Sequence, residues 1–137
     1  MVQGSCVCGD FAYELTGEPL AVLACHCHPC RKTSGTGASH NLLYPDPQFK
    51  LVRGIPKKYV RQGDSGKNVT YHNCPICSTL LYVEAEGLAG VKIIKLGAID
   101  DQEWVNKLDT PKQEIYCKNM YTWEKGWEGA EKKEGAP

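Results

Sequence analysis

No stretch of eighteen apolar residues occurs anywhere in the chain, so no segment reads as a membrane-spanning helix. Net charge is missing too: 16 basic residues cancel 16 acidic ones, and the only adjacent basic pairs are Arg31-Lys32, Lys57-Lys58 and Lys132-Lys133. A nucleic-acid surface needs a denser basic stripe with aromatic residues interleaved, so neither nucleic acid nor an anionic membrane is expected as a partner. The first six residues carry neither a charged leader nor an apolar signal core, which predicts a cytoplasmic, reducing setting where thiols persist. Strong helix signals and long internal repeats are also scarce.

What remains is an ordinary globular composition, 42% hydrophobic and 23% charged over 137 residues, enough for one domain. Short β segments separated by turn formers dominate the pattern. Candidates are residues 11–15, the apolar run 20–24, then 40–44, 49–52, 57–62, 69–72, 79–84 and 91–96. Pro45-Asp46-Pro47 and Gly63-Asp64-Ser65-Gly66 must break regular structure. Helix is expected only as a turn or two over 101–106, capped by Asp100 or Asp101, and as one turn from Pro29 into Lys32. The reading is a mainly β domain over residues 1–128 with one or two short helices, followed by a charged, flexible tail over 129–137.

Against this background eight cysteines are conspicuous, and seven fall in three groups: Cys6-Val7-Cys8, Cys25-His26-Cys27-His28-Pro29-Cys30 and Cys74-Pro75-Ile76-Cys77. Closely spaced thiolates in turns converge on one centre, and zinc takes four such ligands tetrahedrally without redox change. Disulfides are disfavoured by the tight C-x-C loop and the reducing setting. A thioredoxin-type site would need its C-x-x-C at the opening of a helix in a βαβ unit. An iron–sulfur cluster uses cysteine sets as well, but seven thiolates divide into four and three. Four close a structural site; three leave a coordination position for substrate, or for His26, His28 or another side chain that would make a second structural site. Spacing alone leaves open which pair joins which. Cys117, outside the groups, reads as a buried small hydrophobe.

The three motifs, with Gly4-Ser5 before the first and Arg31-Lys32-Thr33-Ser34-Gly35 after the second, resemble the glutathione-dependent formaldehyde-activating enzyme family, which includes centromere protein V. Residues 96–101 and the Trp123 region are similar to that family's C-terminal half, so the resemblance spans roughly residues 3–127. It implies a β-tent fold of antiparallel sheets stapled by two zinc ions. It further implies a structural zinc on Cys6, Cys8, Cys74 and Cys77 and a catalytic zinc on Cys25, Cys27 and Cys30. The activity implied is that of a carbon–sulfur lyase on a glutathione adduct, a small-molecule substrate. The sequence departs from the family pattern at Ser78, where a glycine usually follows the last cysteine of the third motif; a non-glycine residue there changes the turn without removing a ligand.

An open three-thiolate zinc suits activation of a substrate thiol better than of water, because three thiolates damp its Lewis acidity. His26 and His28 flank Cys27 and titrate near neutrality, making them the expected acid–base residues; the alternative is a hydrogen bond to a ligand sulfur or a backbone carbonyl. Arg31 and Lys32 are expected to meet substrate carboxylates or to offset the thiolate charge. His40 and His72 read as ordinary strand residues, and Tyr116, Tyr121, Trp123 and Trp127 as packing. Two other functions fit the same residues: a zinc enzyme of specialised metabolism that does not use glutathione, and a noncatalytic zinc-stapled binding module.

Overall fold

A computed structural model describes residues 1–108 and 110–137. In chain order its elements are β1 (Val2–Ser5), β2 (Ala12–Leu15), β3 (Ala21–Cys25), helix α1 (His28–Ser34), β4 (Ser39–Pro45), β5 (Phe49–Arg53), β6 (Lys57–Gln62), β7 (Asn68–Asn73), β8 (Leu80–Ala85), β9 (Val91–Lys95), helix α2 (Gln102–Asn106), β10 (Gln113–Ile115) and β11 (Glu131–Lys132). The mainly β reading holds. Each expected strand forms within a residue or two of its expected bounds, and Pro45-Asp46-Pro47 ends β4 in a single 3₁₀ turn over Asp46–Gln48. Asp101 caps α2, its carboxylate accepting from the Trp104 amide at 3.0 Å.

The strands make a three-stranded sheet, ordered β1-β2-β5, and an eight-stranded sheet, ordered β11-β10-β3-β4-β9-β8-β7-β6. Pairing is antiparallel except at one edge, where β10 runs parallel to both β3 and β11. That edge departs from an all-antiparallel architecture because the chain returns to β3 through α2 and not through a hairpin. Strand β11 lies inside the segment expected to be loose, and the Tyr116 and Cys117 amides donate to the Gly135 and Lys133 carbonyls beside it.

Alternation decides what each face of the larger sheet does. Leu42, Ile94 and Tyr82 are cross-strand neighbours on one face. They meet Phe11, Tyr13 and Leu15 in the principal core, where the fully buried side chains contribute about 2 kcal/mol each. Gly4 is required in β1 because the Tyr13 ring occupies the space a β-carbon would fill. Cys25 and Ser39 face each other across β3 and β4, as Asn41 and Lys95 do across β4 and β9. These residues alternate with Leu42 and Ile94 and so point away from the principal core. At the far end of this sheet, the Tyr116 hydroxyl donates to Asp64 Oδ2 at 3.2 Å. Tyr116 follows β10 and Asp64 sits in the β6–β7 turn, so the sheet curls until its two ends touch.

Candidate metal centres

Two groups of cysteines form, each with its sulfurs within 4.8 Å of one another: Cys6, Cys8, Cys74 and Cys77, and Cys25, Cys27 and Cys30. All eight thiols are free. The pairing that spacing could not choose is thus made by the fold, which brings the β1–β2 loop against the β7–β8 loop.

Both loops are built to present sulfur. The Phe11 amide donates to Cys6 Sγ at 3.3 Å, and the Ser78 amide closes the second turn on the Cys74 carbonyl at 2.9 Å. Hydrogen bonds from the Thr79 hydroxyl and amide, and from the Cys8 amide, hold the Cys77 thiol down at about 5. Ser78 sits at φ 68°, in the left-handed region, where the family pattern has glycine. The turn is kept and its ligand stays in place.

The donor set fits a tetrahedral ion. Metal–sulfur bonds of about 2.3 Å imply sulfur–sulfur edges of about 3.8 Å, and Cys8 Sγ lies 3.5 Å from Cys6 Sγ and 3.7 Å from Cys74 Sγ. A family-implied zinc is therefore compatible with this group.

In the second group Cys25 ends β3, while Cys27 caps α1 and Cys30 lies in its first turn. The Cys30 amide donates to Cys27 Sγ at 3.4 Å, and Pro29 starts the helix without needing an amide donor there. Hydrogen bonds from the Cys25 and Cys27 thiols hold Cys30 down at about 2, whereas the same contacts, with burial, raise Cys25. Three crowded sulfurs cannot all ionise without a cation to share them, and the set suits a soft divalent ion. Among the described residues no fourth His, Cys, Asp or Glu joins them.

The side chains of the four residues expected to act on substrate meet partners of their own. His26 is 3% exposed and turned inward: its Nε2 is 2.9 Å from the fully buried Glu114 carboxylate, and its Nδ1 lies 3.6 Å from Glu124. Glu114 also accepts from the Trp127 amide at 2.8 Å and has Lys132 Nζ at 3.7 Å. His28, Arg31 and Lys32 line a hollow of about 320 Å³ with Tyr121, whose ring lies 4.6 Å beneath the Arg31 guanidinium. His40 packs edge-on against Trp127 at 5.3 Å.

The charged and phenolic neighbours of the three cysteines are instead Lys95, Arg61, Tyr71 and Tyr116. Lys95 donates to Asn41 Oδ1 at 2.8 Å; burial pushes its ammonium down while the cysteines' charge opposes that fall. Arg61 Nε donates to the Tyr71 hydroxyl at 2.6 Å. Sequence reasoning missed Lys95, Arg61 and Tyr71, and gave Tyr116 the packing role it also has here. Lys95 carried a signal, since a two-residue period places it on the face of Val91 and Ile93. Arg61 and Tyr71 carried none, because only the curl of the sheet brings them in. A larger cleft of about 810 Å³ has Cys6, Cys77, Thr33, Ser39 and Lys95 in its walls, bordered by the four-cysteine group and not by Cys25, Cys27 or Cys30.

The sequence model of the glutathione-dependent formaldehyde-activating enzyme family matches residues 1–119. No curated protein matches the chain. Among solved structures, a crystal structure of a Rhodobacter sphaeroides protein is similar in fold, with a TM-score of 0.58 at 15% identity, over 77% of this chain and 96% of that one.

Proposed function

Because the chain belongs to the glutathione-dependent formaldehyde-activating enzyme family, we propose that it is a zinc-dependent carbon–sulfur lyase acting on the adduct of a thiol, glutathione foremost, with a reactive carbonyl compound. One observation carries the reading: Cys25, Cys27 and Cys30 gather three sulfurs with no fourth protein ligand among the described residues. When bound there, zinc supplies an exchangeable coordination position that favours sulfur as thiolate. The Cys6, Cys8, Cys74 and Cys77 group takes the structural ion in this proposal, two zinc per chain in all, in a cytoplasmic protein.

The chemistry balances without an oxidant. In the hemithioacetal the carbon–sulfur bond breaks and its electron pair stays on sulfur. The hydroxyl proton leaves as the carbonyl forms, and a proton returns to sulfur when the thiol departs; addition is the reverse. The protein's part is to place the adduct and hold its charges. Lys95 and Ser39 stand both beside the three cysteines and in the wall of the larger cleft, which has room for the body of a peptide-sized thiol. His26, committed to Glu114, serves to fix the turn that carries Cys25 and Cys27. His28, Arg31 and Lys32 border the smaller hollow and keep their expected roles only toward a distal part of the substrate.

The test is glutathione-dependent consumption of an aldehyde panel by the zinc-loaded protein and by Cys27→Ser. Activity and one of two zinc equivalents should disappear together while the fold remains. Unchanged turnover in Cys27→Ser would refute the reading, and turnover without any thiol would transfer it to a substrate outside glutathione chemistry.

A further inference from the structure

Two cations border the three cysteines without a carboxylate. Neither Lys95 nor Arg61 has an Asp or Glu oxygen within 4.0 Å among the described residues, whereas His26 has Glu114, and Lys92 has Asp46 and Glu84. Lys95 is spoken for by Asn41. Arg61 gives Nε to Tyr71 and Nη1 to the Gln62 carbonyl at 3.2 Å, which leaves Nη2 with no protein partner among the described residues. The nearby acid on the same hairpin, Asp64, is taken by the Tyr116 hydroxyl at 3.2 Å.

Arg61 is only partly buried, so its free Nη2 stays open to an incoming group. A guanidinium whose orientation is fixed by a phenol is a fork pre-set for a carboxylate. Lys95 suffices to offset the single negative charge of a divalent ion on three thiolates, so Arg61 is in surplus. Its location matters as well. It sits on β6, the last strand of the eight-stranded sheet, and reaches the cysteines only because Asp64 and Tyr116 hold the ends of that sheet together.

We propose that Arg61, oriented by Tyr71, receives a carboxylate carried by the thiol substrate, so that the centre selects anionic thiols over neutral and cationic ones. The inference rests on the thiol-binding reading above and adds to it the residue that discriminates. Tyr71 is a positioning residue: its hydroxyl accepts from Arg61 and fixes the plane of the guanidinium.

The experiment is calorimetric binding of 3-mercaptopropionate, 2-mercaptoethanol and cysteamine to the full zinc-loaded chain, with Arg61→Gln, Arg61→Lys and Tyr71→Phe alongside. A charge-assisted hydrogen bond predicts mercaptopropionate binding at least about tenfold tighter than mercaptoethanol, with cysteamine weakest. Arg61→Gln should erase that preference while leaving the affinity for mercaptoethanol nearly unchanged, and Arg61→Lys should restore part of it. Tyr71→Phe should reduce it with the charge still present. Equal affinity for the three thiols in the unmodified protein overturns the inference, as does an anionic preference that survives Arg61→Gln; either result leaves the lyase reading standing. If none of the thiols binds, the thiol-binding reading falls and the inference falls with it.

Discussion

Replacing Glu114 by alanine and by glutamine should give two very different proteins. Glu114 is fully buried, and its two oxygens answer different donors: Oε1 faces His26 Nε2 at 2.9 Å and Oε2 accepts the Trp127 amide at 2.8 Å. Glu114→Ala strands both donors away from water and opens a void against Gly126, whose missing side chain is what lets the carboxylate in. Breaking a buried pair in this way costs about 3–5 kcal/mol. Unfolding entropy near 2.1 cal/mol/K per residue makes 1 kcal/mol worth about 3–4 °C in a chain of this length, so Tm should fall by roughly 10–17 °C. Glutamine can rescue most of this. Its carbonyl can keep the Trp127 amide, its NH₂ can donate to Nε2, and the imidazole proton then moves to Nδ1, toward Glu124. That exchange trades a charged hydrogen bond for a neutral one, a loss of about 1–2 kcal/mol. Thermal unfolding at saturating zinc measures both. If glutamine is as damaging as alanine, or alanine costs under about 1 kcal/mol, the Glu114 carboxylate is not what ties the His26 turn to the Trp127 segment.

Other outcomes follow from other parts of the fold. Cys74→Ser should prevent folding outright, seen as loss of chemical-shift dispersion, because binding at a four-sulfur site is coupled to folding free energy. Ser78→Gly should raise stability by up to about 1 kcal/mol in urea unfolding, since φ 68° strains any residue with a β-carbon. The His40 imidazole should titrate below the ordinary value of about 6.5 by NMR, depressed by burial first and by His26 second. A lowered folded-state value means the unfolded chain binds that proton more readily. His40 therefore withdraws stability as pH falls below about 6.5, and His40→Phe should flatten that part of the pH dependence.

Local chemistry was legible in the sequence where it depended on neighbours along the chain. The turn formers Gly63-Asp64-Ser65-Gly66 marked β6 at its true bounds, Asp100 or Asp101 marked the start of α2, and cysteine spacing marked each loop that presents sulfur. Strands β1, β10 and β11 escaped because they are short and gain order from their partners, β1 from β2 and β10 from β3. The same limit applied to the site. His26 sits between two cysteines in sequence, yet alternation sends its ring to Glu114, 88 residues away. Arg61 lies far from any cysteine in sequence, yet in the fold it feels the charge of Cys27 and Cys30. No local pattern encodes a meeting of the two ends of a curled sheet.

The two cysteine groups also differ in when they can exist. Cys25, Cys27 and Cys30 belong to one strand-to-helix turn and emerge from the ribosome as a complete set of donors. Cys6 and Cys8 must wait for Cys74 and Cys77, which arrive only after six more strands have been synthesised. A nascent chain thus completes its three-sulfur donor set first and its four-sulfur set second.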